Sequence, residues 1–197
     1  MSNPKIAIVI GSTRKARFAD KPAQWMLEQV QAHGGFDAEI VDLADFDLPF
    51  FDEVGSALYV PSEDPAAQKW QAKIDEFDGY IFVVAEYNHS ITGALKNALD
   101  QAYPQWVRKP AAAIGYGGVG AARAIEHLRT IAVELQMVPL RNAVHIGAGA
   151  FIEVHPMGKN GPMSEIEAVI KPASEQMLSE LDWWARVTRA GRAGEIS

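Results

Sequence analysis

Residues 5–18, KIAIVIGSTRKARF, decide the fold of this 197-residue chain. The apolar run at residues 6–10 has the composition of a buried strand, and it ends directly at Gly11. The polar turn that follows carries two hydroxyl groups and, at Arg14 and Arg17, two guanidinium groups. A helix is predicted to begin near Asp20. Hydroxyls, guanidinium groups and free backbone N–H groups at the start of a helix form a site that suits a phosphate group.

This turn differs from the two common nucleotide-binding loops. It lacks the Gly-Lys-Ser/Thr ending of a P-loop and the Gly-x-Gly-x-x-Gly pattern of a dinucleotide-binding turn. An ordinary polar connection after a strand would show the same residue types. The phosphate hypothesis therefore needs support from other parts of the chain.

Length and composition limit the class of protein. We expect one domain over residues 1–197. The longest apolar runs are far shorter than a membrane span, and the first residues lack the features of a signal peptide, so we expect neither. The absence of cysteine excludes disulfides, iron–sulfur clusters and thiol nucleophiles, and we expect a cytoplasmic location. The net charge of −7 argues against a nucleic-acid partner.

Short apolar runs alternate with segments of helical spacing along the chain. The runs predict five strands, at residues 6–10, 39–43, 79–84, 110–115 and 144–146. We also expect a last helix over residues 172–187, preceded by a turn that Ser164 and Glu167 cap. The alternation predicts the α/β class, a flavodoxin-like, doubly wound, five-stranded parallel sheet of order 2-1-3-4-5 with helices on both faces.

In that strand order, ligands bind at the carboxyl ends of strands one, three and four. The loop after strand three, AEYNHS at residues 85–90, offers ring surface and amide groups to a flat heteroaromatic ligand, and Ser90 is its predicted helix N-cap. A capped surface turn would have the same residues. The loop after strand four, YGGVG at residues 116–120, has glycines that let a planar ring approach the backbone closely. Its N–H groups at the start of a helix favour negative charge.

Three stretches together resemble a known family. They are GSTRKAR at residues 11–17, EYNHSITGALKNALD at residues 86–100 and YGGVGAARAIEHLR at residues 116–129. In order and spacing, roughly the first three-quarters of the chain resembles the NADPH-dependent FMN reductases, which include quinone, azo-dye and chromate reductases. The family commonly has proline where this chain has Ala85 and Thr92. These changes alter the loop's backbone restraint and remove no ligand-contacting group.

The resemblance implies FMN as the cofactor and NADPH, or NADH, as the cosubstrate. It assigns the FMN phosphate to Ser12, Thr13, Arg14 and Arg17. It assigns the isoalloxazine ring to Glu86, Tyr87, Asn88, His89, Tyr116, Gly117, Gly118 and Gly120. No residue is predicted to be catalytic, because the cofactor carries the chemistry. The five histidines lack the spacing of a metal site, so no metal ligand is predicted.

The implied reaction passes a hydride from NADPH to FMN, and then two electrons to a small-molecule acceptor such as a flavin, quinone or azo compound, in a ping-pong scheme. The implied assembly is a homodimer or homotetramer with FMN near the subunit interface, to which the helix over residues 93–103 contributes. The loose segment at residues 45–65 is expected to be a functional cover or an interface arm. An alternative is a flavin-binding electron carrier or regulatory module without direct nicotinamide turnover.

Overall fold

A computed structural model describes residues 2–195 of the chain. Its strands are β1 (Lys5–Ile10), β2 (Asp37–Asp42), β3 (Gly79–Ala85), β4 (Pro110–Tyr116), β5 (Val138–Pro139) and β6 (Val144–Ile146). Its helices are α1 (Asp20–His33), α2 (Pro65–Asp75), α3 (Gly93–Asp100), α4 (Ala122–Glu134), α5 (Ala148–Val154) and α6 (Glu167–Arg192). Short 3-10 turns cover Leu43–Asp45 and Met163–Ile166.

The strands form one parallel sheet in the order β2-β1-β3-β4-β5, which confirms the predicted topology. The fifth strand differs from the prediction because it is split into two pieces. β5 pairs with the beginning of β4, and β6 pairs with its end, through Ile114–Val144 and Tyr116–Ile146. The side chain of Arg129 donates to the carbonyl of Leu140 at 3.1 Å, so a cation satisfies backbone oxygen in the gap between the pieces.

Both faces of the sheet are buried, and alternate residues of each central strand point to opposite sides. Ile6, Ile8 and Ile10 of β1 pack under α1, α5 and α6, whereas Ala7 and Val9 face α2, α3 and α4. This period-2 alternation is the geometry of a pleated strand, and it explains why the central strands have continuous apolar sequences. The result is a rigid sheet whose carboxyl edge carries the connecting loops.

The helices differ from the sequence-based predictions at several points. Helix α5 was not predicted, and α3 ends at Asp100, three residues before the predicted end. Helix α2 was not predicted, although Asp64 caps it through the N–H groups of Ala66 and Ala67 and Pro65 begins it. Helix α6 begins five residues before the predicted start and contains Pro172 in its interior. The predicted cap was wrong, because Ser164 lies within a 3-10 turn and makes no capping bond to α6.

Gly115 of β4 allows the chain between β4 and α4 to pack against the sheet. A Cβ atom at this position would lie 2.6 Å from Cβ of Ala121 and 3.1 Å from the carbonyl oxygen of Gly120. We therefore expect Gly115→Ala to lower the free energy of unfolding by about 1–3 kcal/mol, the usual cost of overpacking. Urea unfolding of the flavin-free protein, followed by circular dichroism, measures this change.

Gly93→Ala is the matched control, because a Cβ atom at Gly93 meets nothing within 4 Å and the residue begins α3. This substitution should leave stability unchanged or raise it by about 0.4–1 kcal/mol, since alanine restricts the unfolded chain. An equal effect of the two substitutions would contradict the packing assigned to Gly115.

Candidate functional site

Three loops meet at the carboxyl edge of the sheet: loop 1 (residues 11–19), loop 2 (residues 86–92) and loop 3 (residues 117–121). Each begins with a backbone hydrogen bond to the neighbouring strand. Gly11 N–H donates to Val83 at 3.1 Å, and Glu86 N–H donates to Tyr116 at 3.2 Å. Gly117 N–H donates to the last residue of β6 at 3.2 Å. The three loops that the sequence singled out are therefore adjacent in the fold.

Loop 1 is fixed to the start of α3 by Thr92. The hydroxyl of Thr92 donates to the carbonyl of Gly11 and accepts the N–H of Leu95 at 3.1 Å. The N-cap of α3 is thus Thr92, and the prediction that Ser90 caps this helix was wrong. Ser90 instead makes a 2.7 Å hydrogen bond to Nδ1 of His127 on α4. Thr92 stands where the family commonly has proline, and proline has no hydroxyl group that could make these two hydrogen bonds.

Arg17 of loop 1 is bound within the chain. Its guanidinium group makes hydrogen bonds with the carboxylates of Asp20 and Asp42, one of them 2.7 Å from Nη1 to Asp42. A further N–H donates to the carbonyl of Ser12 at 2.8 Å. These bonds use all five N–H groups that a guanidinium offers. Arg17 therefore shapes loop 1, and its assignment to a phosphate remains a prediction.

The pair between Arg17 and Asp42 also sets the charge on loop 1. Burial alone would raise the pKa of Asp42, but hydrogen bonds from Arg17 and from the N–H of Ala44 outweigh it, so that pKa is lowered. The carboxylates raise the pKa of Arg17 above its usual value. Arg14 lies outside this network. Its guanidinium carbon stands 5.9 Å from the centre of the Tyr87 ring, and Nη2 donates to Ala16 at 3.2 Å.

Loop 2 makes a tight turn at Asn88 and His89. The backbones of Tyr87 and Ser90 exchange two hydrogen bonds, of 2.9 and 3.0 Å. Asn88 and His89 have φ values of 50° and 72°, the left-handed conformation that a two-residue type I′ turn requires and that asparagine and histidine tolerate. The turn projects the Tyr87 side chain toward loop 1.

Glu86 begins loop 2 with a buried carboxylate whose side chain is 5% exposed. Its Oε1 accepts a hydrogen bond of 2.6 Å from Nε of Arg123 on α4. The same guanidinium contacts Nε2 of His89 at 2.8 Å. Within residues 2–195, the second oxygen, Oε2, is buried and has no hydrogen-bond partner. A buried acceptor without a donor is costly, so this oxygen points to a donor that a ligand supplies.

Loop 3 is built from glycines with different tasks. Gly117 and Gly120 have φ values of 150° and 67°, conformations that favour glycine, and their N–H groups donate to Ile146 and to Gly117. A Cβ atom at Gly118 would meet nothing within 4 Å. In the described part of the chain, the N–H of Gly118 is not used in a hydrogen bond. It is therefore the loop 3 glycine whose donor is available to a ligand.

The loops enclose a cleft of about 200 Å³, here called the loop cleft. Seven of the twelve predicted cofactor-binding residues line it, namely Ser12, Arg14, Arg17, Glu86, Tyr87, Tyr116 and Gly117. The other five, Thr13, Asn88, His89, Gly118 and Gly120, belong to the same loops but do not line the cleft itself. Burial raises the pKa of Tyr116 above its ordinary value, so this phenol stays protonated.

The cleft has a fourth wall that the sequence analysis missed. Phe151, His155 and Met157, from the end of α5 and the segment after it, line it together with Phe18. The rings of Phe18 and Tyr116 lie 5.1 Å apart, and those of Phe151 and His155 lie 4.3 Å apart. Local sequence carries no signal for this wall, because it forms only when α5 docks beside loop 1.

A second, larger cleft of about 460 Å³ lies on the other side of loop 1. Its walls are Thr13, the residues after β2 and the first turns of α3. Asn97 of α3 holds the segment after β2, accepting the N–H of Phe51 at 2.9 Å and donating to the carbonyl of Pro49 at 2.7 Å. The cleft that contains the arginines and the unpartnered Glu86 oxygen is the smaller one, and chemistry rather than size identifies the candidate site.

Two further findings bear on the class of protein. No group of histidine and acidic side chains within residues 2–195 could hold a metal ion. Across the same residues, none of the helices combines the length and the apolar character that crossing a membrane requires.

Trp106, which the sequence places before β4, is fully buried beside Tyr80, with ring centres 4.8 Å apart, and has a structural role.

The sheet order and the converging loops define a flavodoxin-like protein with a ligand site at the carboxyl edge of the sheet. Residues 4–150 match the family model described as NADPH-dependent FMN reductase. An NAD(P)H-dependent FMN reductase of Nectria sp is 34% identical over 154 residues, covering 74% of this chain and 77% of the relative. A 2-hydroxy-1,4-benzoquinone reductase of Burkholderia sp is 34% identical over 145 residues, covering 68% of this chain and 73% of the relative.

Among solved structures, a flavoenzyme NAD(P)H:(acceptor) oxidoreductase from Paracoccus denitrificans superposes with a TM-score of 0.67. The superposition covers 94% of this chain and 98% of the Paracoccus chain at 23% sequence identity, and this similarity supports the fold. The chain belongs to the NADPH-dependent FMN reductase family. It is accordingly an oxidoreductase with FMN as cofactor and NAD(P)H as cosubstrate.

The residues of the loop cleft fit this cofactor. The guanidinium of Arg14 in the cleft and the free N–H of Gly118, which belongs to loop 3 outside the cleft lining, are donors that suit the oxygen atoms of a flavin and of its phosphate. The unpartnered Oε2 of Glu86 is an acceptor, which suits the N–H group of an isoalloxazine ring.

The ion pair between Arg123 and Glu86 offers a direct test of the site's electrostatics. Arg123→Met should lower the free energy of unfolding by about 1–3 kcal/mol, because it leaves the buried carboxylate of Glu86 unpaired. Adding Glu86→Gln should recover part of this loss, since a neutral amide needs no counter-charge. Urea unfolding of the single and double variants measures the coupling.

Arg141→Met is the control, since Arg141 is exposed and its side chain makes no recorded bond in residues 2–195; it should change stability by less than about 0.5 kcal/mol. Additive effects of the Arg123 and Glu86 substitutions would contradict the pairing.

Proposed function

We propose that the chain transfers a hydride from NAD(P)H to FMN held in the loop cleft and then reduces a flavin, quinone or azo acceptor in a ping-pong scheme. The single observation that carries the proposal is the buried, unpartnered oxygen of Glu86 in a cleft that also contains Arg14. A flat ligand with an N–H group and an anionic tail provides partners for both of these groups. The whole chain acts as one flavodoxin-like domain in this proposal.

Each loop has a separate task in holding the cofactor. Loop 1 binds the phosphate through Ser12 and Arg14, which line the cleft, and through Thr13 between them, while Arg17 holds the backbone of Ser12 in place. In loop 2, Glu86 accepts a hydrogen bond from the ring system and Tyr87 contributes ring surface. Arg123 orients the Glu86 side chain through the hydrogen bond from Nε, which makes it a positioning residue.

The electrostatics of loop 3 suit a ligand that gains negative charge during the reaction. Bound FMN would supply the hydride-accepting and electron-donating chemistry, so the task of the protein is to position it and to stabilise charge. The free N–H of Gly118 stands just before α4, where backbone dipoles favour an anion. Preorganised donors of this kind stabilise developing charge without reorganisation, and we assign this part of the catalysis to loop 3.

We expect anaerobic addition of NADPH to the FMN-loaded protein to abolish the visible flavin absorption before any acceptor is present. Quinone then restores the absorption, and initial rates at several fixed quinone concentrations give parallel double-reciprocal lines. Free FMN with NADPH and no protein is the control. Intersecting lines would contradict the ping-pong scheme. A flavin band unchanged by NADPH or NADH would contradict the reductase and favour an electron carrier.

The proposal includes an assembly of at least two copies, with α3 and the segment after β2 at the interface. Phe50, Val54 and Tyr59 of that segment are 86%, 99% and 81% exposed, which is unusual for neighbouring large apolar side chains. The hydrogen bonds of Asn97 and Gln101 to Pro49 attach this segment to α3. The two elements therefore form one continuous surface, and we propose a second copy of the chain as its occupant.

Sedimentation velocity at micromolar concentration should show a dimer or tetramer. Val54→Asp should shift the protein toward monomer, because a charge at an apolar interface loses its hydration. Val133→Asp is the matched control, since Val133 of α4 is 64% exposed and lies outside the proposed surface. A monomeric wild type, or equal effects of the two substitutions, would contradict this interface.

We also propose a cytoplasmic location. The support is compositional, because the chain has no cysteine and therefore uses no disulfide for stability.

A further inference from the structure

The sequence offers two arginines, Arg14 and Arg17, for the FMN phosphate, but the fold leaves only one of them available. Arg17 donates to Asp20, Asp42 and the carbonyl of Ser12, and these bonds use its N–H groups. Its charge is balanced by two carboxylates. Arg14, by contrast, has one recorded hydrogen bond within residues 2–195, to the backbone of Ala16. A phosphate dianion in the loop cleft therefore has one available guanidinium group in loop 1, and a donor from another part of the chain would add to its binding.

His155 lines the same cleft from the opposite side. It follows the last residue of α5, and its ring packs between Phe151 at 4.3 Å and Phe18 of loop 1 at 5.2 Å. It lies beyond residue 150, where the match to the family model ends. The family motifs therefore do not account for His155.

The hydrogen bonding of His155 fixes the role of each ring nitrogen. The backbone N–H of Met157 donates to Nδ1 of His155 at 3.1 Å. Because Nδ1 accepts this bond, the neutral ring carries its hydrogen on Nε2, and that group is a donor. The aromatic contacts restrict rotation of the ring, so the donor is held in the cleft at little further cost in entropy.

Lys21 of α1 holds the segment that carries His155. Its ammonium group donates to the carbonyl of Val154 at 3.1 Å, to Oδ1 of Asn160 at 2.7 Å and to the carbonyl of Gly161 at 3.1 Å. These three contacts tie the segment to the helix that begins directly after loop 1. The distance between loop 1 and His155 is thereby set by the fold, and Lys21 is a positioning residue for this wall.

The charges around His155 are suited to an anion. Burial lowers the pKa of His155, and the nearby charges of Arg14 and Lys21 lower it further. Arg14 and His155 both line the cleft, so a guanidinium group and an imidazole N–H donor face the same ligand space.

We propose that His155 binds the phosphate of FMN through Nε2, together with Ser12 and Arg14, and takes the place that the sequence pattern gives to Arg17. This inference rests on the proposed function, since it concerns the same cofactor in the same cleft. It assigns a phosphate ligand to the segment after α5.

Riboflavin has the same ring system as FMN and no phosphate. Comparing the two ligands therefore distinguishes a contact of His155 with the phosphate from a contact with the ring. Dissociation constants for FMN and riboflavin are measured by flavin fluorescence for the wild type and for His155→Ala. We expect the variant to bind FMN about 10- to 100-fold more weakly, the range for a lost charge-assisted hydrogen bond, and riboflavin with little change. His155→Gln, which keeps an N–H donor, should retain part of the FMN affinity.

Arg14→Ala is the positive comparison and should show the same selective loss. Met157→Ala is the matched control, because Met157 lines the cleft with a side chain that cannot donate a hydrogen bond, and it should leave the ratio of the two constants unchanged. Equal losses for FMN and riboflavin in both His155 variants, or no loss for FMN, would overturn the role of His155. A wild type that binds neither flavin would instead contradict the proposed function.

Discussion

Three backbone hydrogen bonds, each one residue beyond the end of a strand, hold the site of this protein together. They join Gly11 to Val83, Glu86 to Tyr116 and Gly117 to Ile146. Because the strands are parallel and adjacent, these bonds start all three loops at the same edge of the sheet. The buried apolar strands below them supply the rigidity, since both faces of the sheet are covered by helices. Loop convergence is thus a direct consequence of strand order.

The polar side chains of the site divide into groups that are satisfied within the chain and groups that are not. Arg17 is paired with Asp20 and Asp42, and Thr92 bridges loop 1 and α3. Glu86 keeps one oxygen without a partner in the described residues, and Gly118 keeps a free N–H group. The satisfied groups fix the geometry of the loops. The unsatisfied Glu86 oxygen supports the flavin site proposed for the loop cleft, because buried polar groups are normally paired.

Much of the fold follows from the sequence, because parallel strands buried on both faces leave long apolar runs. The central strands and the sheet order were predicted for this reason. The two-residue strand β5 is too short to produce a pattern. Helix α2, which was not predicted, does have a signal in the sequence, because Asp64 and Pro65 are an N-cap residue followed by proline. The start of α6 was predicted at Pro172, but the helix begins at Glu167 and continues through the proline.

The site was only partly predictable, because motifs specify loops and not the partners that loops acquire. The sequence indicated Arg14 and Arg17 equally as ligands of the phosphate, whereas in the structure only Arg17 is paired with carboxylates. Their difference depends on Asp42, which stands 25 residues from Arg17 and reaches it only because β2 pairs with β1. His155 is more remote still, since its place in the loop cleft depends on the docking of α5 against Phe18. Contacts of this kind are properties of the tertiary structure and have no local signature.

The central claim is that loops from three strands form one site for a flavin mononucleotide. Titration of the flavin-free protein with FMN, followed by the quenching of flavin fluorescence, tests this claim most directly. We predict saturable quenching with one FMN bound per chain. Fluorescence that stays equal to that of free FMN across the titration would contradict the account.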